Sequence, residues 1–133
     1  MSKLITAQIL TPTGALFSGE VEAILVPGSE GAFEILHQHA PIVSVLGIGK
    51  IRVTKPGGEV LLFAVSGGFV EASDNLVTVL AEKATAPEDI HPEDVQKKRS
   101  EIKERLKGTT QGRESLEKEI RELDNLLALS ANS

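Results

Sequence analysis

Cysteine, tryptophan and tyrosine are absent from this sequence of 133 residues, and its aromatic residues are four phenylalanines. Without cysteine there is no disulfide, no thiolate nucleophile and no cysteine-based zinc site. Proteins that bind a phosphate backbone carry a basic surface and often aromatic platforms, whereas this chain has a formal net charge of −5. We therefore expect no nucleic-acid partner.

Long hydrophobic runs are also lacking. No apolar stretch approaches the roughly 18 to 20 residues that a transmembrane helix needs. The first residues, Met1-Ser2-Lys3-Leu4-Ile5-Thr6, lack the apolar region of a signal peptide. We expect the chain to reach a membrane only through partner proteins, and the absence of cysteine is compatible with the cytosol.

Short segments rich in valine, isoleucine, leucine and glycine fill the chain from Lys3 to about Ala84. Turn sequences separate them, such as Thr11-Pro12-Thr13-Gly14 and Lys55-Pro56-Gly57-Gly58, in which proline fixes φ and glycine allows positive φ. No helical period lies between the segments, so the pattern predicts a largely antiparallel β sandwich or small barrel. The predicted strands are 4–10, 20–27, 32–36, 42–46, 49–54, 59–65, 68–73 and 75–80.

The pattern then becomes helical: segment 86–94 is a linker that leads into a helix start, with Pro92 near the first turn and acids that favour the positive end of the helix dipole. A first helix over 95–106 has a narrow apolar stripe, and a second helix over 113–129 has Leu116, Ile120, Leu123 and Leu127 at spacings of four, three and four. The turn Gly108-Thr109-Thr110-Gln111-Gly112 joins them, which predicts an antiparallel hairpin. As a whole the chain is predicted to be α+β, with a β-sandwich domain over 1–86 and a helical hairpin over 87–133.

Charge is divided unevenly between these parts. The whole net charge of −5 falls on residues 1–91, while residues 92–133 carry equal numbers of acids and bases. Within the hairpin, however, segment 97–107 has six bases against two acids. Two interpretations stay open: a solvated helix face, or a surface that docks on an acidic partner.

The sequence contains no recognisable catalytic motif. The segment Gly47-Ile48-Gly49-Lys50-Ile51-Arg52 lacks the third glycine of a dinucleotide loop, and there is no Walker A sequence. Ser66 is preceded by Ala64 where a nucleophile elbow has glycine. Neither spacing nor motif pairs any two of the carboxylates Glu30, Glu34, Glu71 and Asp74 as acid and base.

A metal site is a further possibility that the histidines raise. His37 and His39 would lie on one face of an extended chain, since side chains two apart on a strand point the same way. No third ligand is evident, so we expect no metal. Since no catalytic motif is present either, we expect no catalytic centre.

Several short motifs, taken together in their order, are similar to the ε-subunit family of F-type ATP synthases over essentially the whole chain. Each alone is a common β-turn pattern, but their order and the helical hairpin after them are specific. The motifs are Pro12-Thr13-Gly14, Phe17-Ser18-Gly19, Gly28-Ser29-Glu30-Gly31, His39-Ala40-Pro41, Ser66-Gly67-Gly68-Phe69-Val70-Glu71 and Val77-Thr78-Val79-Leu80-Ala81.

The resemblance implies a non-catalytic rotor subunit on the cytoplasmic face of the bacterial inner membrane. Its sandwich would bind the γ subunit and rest on the c-ring through loops that carry Glu30, Gly31 and His39. Its hairpin would either pack on the sandwich or extend along γ towards the α and β subunits and restrain ATP hydrolysis. The bases that would make these inhibitory contacts are Lys97, Lys98, Arg99, Lys103, Arg105, Lys107, Arg113, Lys118 and Arg121.

One motif departs from the family. Some members bind ATP on the folded hairpin through Ile or Leu, Asp, two variable residues, Arg and Ala, whereas this chain has Ile90-His91-Pro92-Glu93-Asp94-Val95. His91 replaces the aspartate and Asp94 replaces the arginine, which reverses the charge expected beside a phosphate. We expect no cofactor, and weak or no binding of ATP.

Two alternatives belong to other classes of function. The chain would be a free-standing adaptor if its hairpin gripped an unrelated protein. It would be a small enzyme only if titratable groups converged in a pocket, which no motif predicts.

Overall fold

The computed structural model describes residues 3–131, and the chain divides into two compact units, Met1–Ala84 and Thr85–Ser133. The first unit is a β sandwich of eight strands and the second consists of helices, so the predicted fold class is confirmed. The domain boundary predicted after Ala86 stays a prediction. The strands are β1 (Ile5–Thr11), β2 (Gly14–Val21), β3 (Ala23–Gly28), β4 (Gly31–Leu36), β5 (Ile42–Val45), β6 (Ile48–Thr54), β7 (Val60–Ser73) and β8 (Leu76–Thr85).

The strands are hydrogen-bonded in the order β2-β1-β8-β7-β6-β3-β4, and β5 pairs with β7 beside the end of β6. The β1–β2, β3–β4, β3–β6, β5–β7 and β6–β7 pairs are antiparallel. The β1–β8 pair is parallel, with Ala7 opposite Val77 and Ile9 opposite Val79. These four side chains are buried, as alternation along two strands that share a core face requires.

Two strands differ from the prediction. Strand β2 was not predicted, since the predicted strand 20–27 corresponds to β3 and overlaps β2 only at its last two residues. Most residues of β2 are at least partly exposed, so it has no apolar alternation to detect. The segments predicted as two strands, 59–65 and 68–73, form the single 14-residue strand β7. Gly67 and Gly68 both have positive φ, which lets the strand bend without ending.

The glycine bend allows β7 to change neighbours. Before it, β7 pairs with β6, and after it β7 pairs with β5. A Cβ on Gly68, whose φ is +116°, would overlap the carbonyl oxygen of Leu80 on β8. Only glycine therefore fits where these strands approach each other.

The second unit contains a 3₁₀ turn (Pro87–Asp89), helix α1 (Pro92–Lys107) and helix α2 (Arg113–Ala131). Helix α1 begins at Pro92, as expected of a proline near the first turn, since proline suits the first helical position and His91 adopts the extended cap conformation. The helices pack antiparallel, since Leu106 near the end of α1 contacts Arg113 at the start of α2, while Arg99 and Asp124 pair farther from the turn on both helices. In the predicted apolar seam Leu116 and Leu123 are buried, while Ile120 and Leu127 are half-buried.

Candidate docking surfaces

An exposed apolar face lies on the adjoining strands β5 and β7. The exposed fractions are 68% for Val43, 62% for Val45 and 42% for Phe69. Val45 lies directly opposite Phe69 in the antiparallel register, so the two side chains share one face of the sheet. We call these three residues the β5–β7 face. The exposed carboxylate of Glu71 lies opposite Val43 on the same side of the sheet. Three large exposed apolar side chains beside one carboxylate indicate contact with another protein.

The sequence analysis missed this face, although strand β5 carries a signal. Ile42 and Ser44 point one way and are half-buried, whereas Val43 and Val45 point the other way and are exposed. An exposed antiparallel strand normally places polar residues on its solvent side. Valine at both outward positions of so short a strand is therefore evidence for a covering partner.

The turn between β3 and β4 adjoins the β5–β7 face. Gly28 pairs with Gly31, and the two exposed residues Ser29 and Glu30 form the turn between them. Gly31 has φ +135°, a region open to glycine and strained for other residues. The backbone N–H of Ser29 donates to the carbonyl oxygen of Val45 at 2.8 Å. This bond joins the turn that carries Glu30 to the end of β5.

His39 lies in the loop that connects β4 to β5. Its backbone N–H donates to the carbonyl oxygen of Leu36 at 3.0 Å, and its ring Nδ1 is 2.7 Å from the carbonyl oxygen of Ala40. The half-buried imidazole lines a small cavity together with Leu36 and Leu76, whose side chains are 50% and 47% exposed. We call Leu36, His39 and Leu76 the His39 surface.

The structure does not bring Glu30 and His39 together. Glu30 precedes the six-residue strand β4 and His39 follows it. At about 3.3 Å per residue, β4 separates them by roughly 16 to 20 Å. Glu30 and Gly31 therefore lie beside the β5–β7 face, and His39 lies at the other end of β4.

His37 and His39, which raised the possibility of a metal site, lie in one loop. The side chain of His37 is half-buried. Across residues 3–131 no group of three or more histidine, aspartate or glutamate side chains is placed to hold a metal ion.

The nine hairpin bases divide into those with partners inside the hairpin and those without. Nitrogen to oxygen distances are 2.6 Å for Arg99 to Asp124, 3.1 Å for Lys107 to Glu104 and 3.8 Å for Arg113 to Glu117. The other six form no ion pair within residues 3–131, and all six are exposed: Lys97, Lys98, Lys103, Arg105, Lys118 and Arg121. These six charges are the ones available to a partner.

Arg113 has a structural role that the sequence pattern did not indicate. Its Nη1 donates to the carbonyl oxygen of Leu106 at 2.7 Å and to that of Thr109 at 3.2 Å. The first residue of α2 thus satisfies a carbonyl left over at the end of α1. Arg113 closes the hairpin turn, which limits its availability to an outside partner.

The fold is thus that of a small β sandwich followed by a helical hairpin, with exposed apolar surfaces on the sandwich. The family described as "ATP synthase, Delta/Epsilon chain, beta-sandwich domain" matches residues 4–87. The ATP synthase epsilon chain of Leptospira borgpetersenii serovar Hardjo-bovis is 40% identical over 98 residues, which cover 74% of this chain and 76% of that one. The epsilon chain of Nitratidesulfovibrio vulgaris (strain Miyazaki F) is 45% identical over 97 residues, which cover 73% of this chain and 72% of that one.

The chain belongs to the epsilon-chain family of F-type ATP synthases, which confirms the resemblance inferred from its motifs. A chain in the structure of the Euglena gracilis mitochondrial ATP synthase, described as containing OSCP, F1 and the c-ring, has the same fold. Its TM-score is 0.85 at 23% identity, over 95% of this chain and 81% of that one. A chain from the central stalk and c-ring of the Tetrahymena thermophila enzyme has a TM-score of 0.54 at 17% identity, over 65% and 69%.

None of the helices that lie within residues 3–131 is long and apolar enough to cross a bilayer.

Proposed function

We propose that this chain is a non-catalytic rotor subunit of the central stalk, which links the γ subunit to the c-ring and so helps couple ion flow to ATP synthesis. The observation that supports this proposal best is that the turn with Glu30 and the His39 surface are both exposed and are separated by the length of β4. A subunit that joins two partners needs two such surfaces, whereas a subunit with one partner needs one. Family membership supports the choice of partners.

The chemistry of each surface suggests its partner. The turn with Glu30 and Gly31 is exposed and polar, which suits the polar loops of a c-ring. The β5–β7 face is apolar and suits a partner that stays bound, since apolar burial drives permanent association. We assign this face to γ. The His39 surface, which also carries exposed leucines, lies away from Glu30, so we assign it to γ as well.

The hairpin is proposed to restrain ATP hydrolysis by extending towards the α and β subunits. The six exposed bases without ion pairs in the described residues would meet an acidic segment there, because electrostatic complementarity favours one docked arrangement over others. Arg99 and Arg113 would first have to leave Asp124 and the carbonyl oxygen of Leu106 if the helices separated. The folded hairpin is thereby favoured until a partner offers better contacts.

ATP does not fit the start of α1. His91 and Asp94 are both exposed there, and Glu88, Asp89 and Glu93 lie within the same few residues. Four carboxylates within residues 88–94 repel a triphosphate, and no lysine or arginine lies among these residues to offset their charge. We propose that this chain does not bind ATP at this position. Calorimetric titration should show no binding at micromolar ATP, and a micromolar Kd would contradict the proposal.

Purification of the tagged chain from its own cells tests the rotor assignment. Stoichiometric γ, α and β subunits are expected, together with c subunits when the membrane sector is kept in detergent. We place the chain on the cytoplasmic face of the bacterial inner membrane, as a peripheral protein held there by its complex. Recovery of an unrelated partner without these subunits would contradict the assignment and favour a free-standing adaptor.

A further inference from the structure

The turn between β7 and β8 is made by two residues with left-handed backbone. Asp74 has φ +52° and Asn75 has φ +61°, and both central residues of a type I′ hairpin turn require positive φ. Aspartate and asparagine tolerate this region better than other residues with a side chain. The requirement of the turn alone would be met at least as well by glycine.

Asn75 also joins three separate parts of the sandwich. Its backbone carbonyl oxygen accepts the N–H of Thr6 on β1 at 2.9 Å. Its side-chain Oδ1 accepts the N–H of Gln38 in the β4–β5 loop at 2.7 Å. Glycine at this position would keep the first bond and lose the second, so the side chain has a role beyond the turn.

The β4–β5 loop, which donates this hydrogen bond, is itself strained. Gln38 has φ +62°, which is uncommon for a residue other than glycine, asparagine or aspartate. Its neighbour His39 carries the half-buried imidazole of the His39 surface. A strained residue keeps one conformation only when its surroundings fix it, and Asn75 provides the fixing contact across 37 residues of sequence.

We propose that Asn75 is a positioning residue, whose Oδ1 fixes the β4–β5 loop and thereby presents the His39 surface to its partner. The partner rests on the proposed function, in which this surface contacts γ. The positioning itself rests only on the geometry of the sandwich. The two can therefore be tested separately.

Hydrogen exchange of the full-length chain tests the positioning. Asn75→Gly keeps the turn and removes Oδ1, while Asn75→Asp keeps an acceptor oxygen. In Asn75→Gly the Gln38 amide should exchange about five- to tenfold faster, the loss expected for one hydrogen bond. The Thr6 amide, whose acceptor is the backbone oxygen of residue 75, should be unchanged. Asp74→Gly changes the same turn without touching the loop and should leave Gln38 unaffected.

Two results would overturn the positioning role. One is a Gln38 amide that exchanges equally in the wild type and in Asn75→Gly. The other is an equal acceleration at Gln38 and Thr6 in both Asn75→Gly and Asp74→Gly, which would show a general loosening of the turn.

The link to the partner is tested by competition for assembly. Asn75→Gly should compete several-fold less well than the wild type for a γ subunit on its c-ring, and Asn75→Asp should be close to the wild type. Equal competition by Asn75→Gly, despite faster Gln38 exchange, would overturn the docking part of the inference. If the wild type itself did not associate with γ, the proposed function would fail and the exchange result would still decide the positioning.

Discussion

The backbone N–H of Ser29 donates to the carbonyl oxygen of Val45 at 2.8 Å, and this bond joins a polar turn to an apolar strand. The turn exposes Glu30, while β5 exposes Val43 and Val45. Two surfaces of different chemistry therefore lie side by side and keep a fixed relation. A subunit that touches two partners that rotate together requires such rigidity.

Substitution of Val45 by aspartate should block association with γ. The side chain is 62% exposed, so the isolated chain should lose about 1 kcal/mol of stability or less. In the assembled complex an unpaired carboxylate would be buried against an apolar partner, and association should weaken at least about tenfold. Association with γ can be measured by titration with the purified subunit.

Val60→Asp is the matched control for this substitution. Val60 is 48% exposed at the start of β7 and lies outside the β5–β7 face. The Val60→Asp substitution should leave the affinity for γ unchanged. If both variants bound γ as tightly as the wild type, the β5–β7 face would not be the γ surface.

Substitution of Gly68 by alanine should destabilise the sandwich strongly. The new Cβ would overlap the carbonyl oxygen of Leu80, and φ +116° is strained for alanine. We expect a loss of about 2–4 kcal/mol in the free energy of unfolding, measured by urea denaturation. Gly57→Ala has the same backbone problem, φ +94°, but meets nothing within 4 Å. It should cost about 1 kcal/mol, and equal losses for the two variants would exclude steric overlap as the cause.

Substitution of Arg113 by alanine should loosen the hairpin. Two hydrogen bonds to carbonyl oxygens at the end of α1 would be lost, with an expected cost of about 1 kcal/mol because the guanidinium is largely exposed. The amides of the last turn of α1 should then exchange faster with solvent. Arg121→Ala is the control, since Arg121 lies on the same helix without an ion pair in the described part of the chain. If Arg113→Ala and Arg121→Ala accelerated exchange in this turn equally, Arg113 would not be the residue that caps α1.

Neutralisation of four exposed bases on α1 should relieve inhibition. Replacing Lys97, Lys98, Lys103 and Arg105 by glutamine removes charges that have no ion pair within residues 3–131, so the folded hairpin should be little changed. ATP hydrolysis by the assembled enzyme should rise about twofold or more, towards the rate with a chain that ends at Ala86. Neutralising Lys107 together with its partner Glu104 should change the rate of ATP hydrolysis little.

Equal hydrolysis rates with the full-length chain and with the chain that ends at Ala86, under all conditions of nucleotide and membrane energisation, would show that the hairpin is not a brake.

The sequence predicted the fold well where one face of an element is buried. Alternation in strands such as β1 and β6, and the four-three-four spacing of the apolar residues in α2, follow directly from burial. The sequence did not predict the strands correctly where a strand is exposed or contains a bend. Strand β2 is largely exposed along its length, and the bend at Gly67 and Gly68 imitates a turn between two strands.

The docking surfaces were predicted less completely, for a physical reason. The turn that carries Glu30 and Gly31 has a local glycine signal, while their role as c-ring contacts came from the family resemblance and stays a prediction. Their distance from His39 depends on the direction of β4, and the exposure of Val43 and Val45 depends on which neighbours β5 has. The bond from Gln38 to Asn75 joins residues that no local pattern relates.

Photo-crosslinking from single cysteines in the assembled, membrane-bound enzyme tests the central claim most directly, because the chain has no cysteine of its own. Glu30→Cys should crosslink to a c subunit, while Val45→Cys and His39→Cys should crosslink to γ. Glu59→Cys, an exposed position beside the β6–β7 turn, should crosslink to neither. Crosslinking of Glu30→Cys and His39→Cys to the same subunit, or of none of these positions to γ or c, would contradict a subunit that links γ to the c-ring through two separate surfaces.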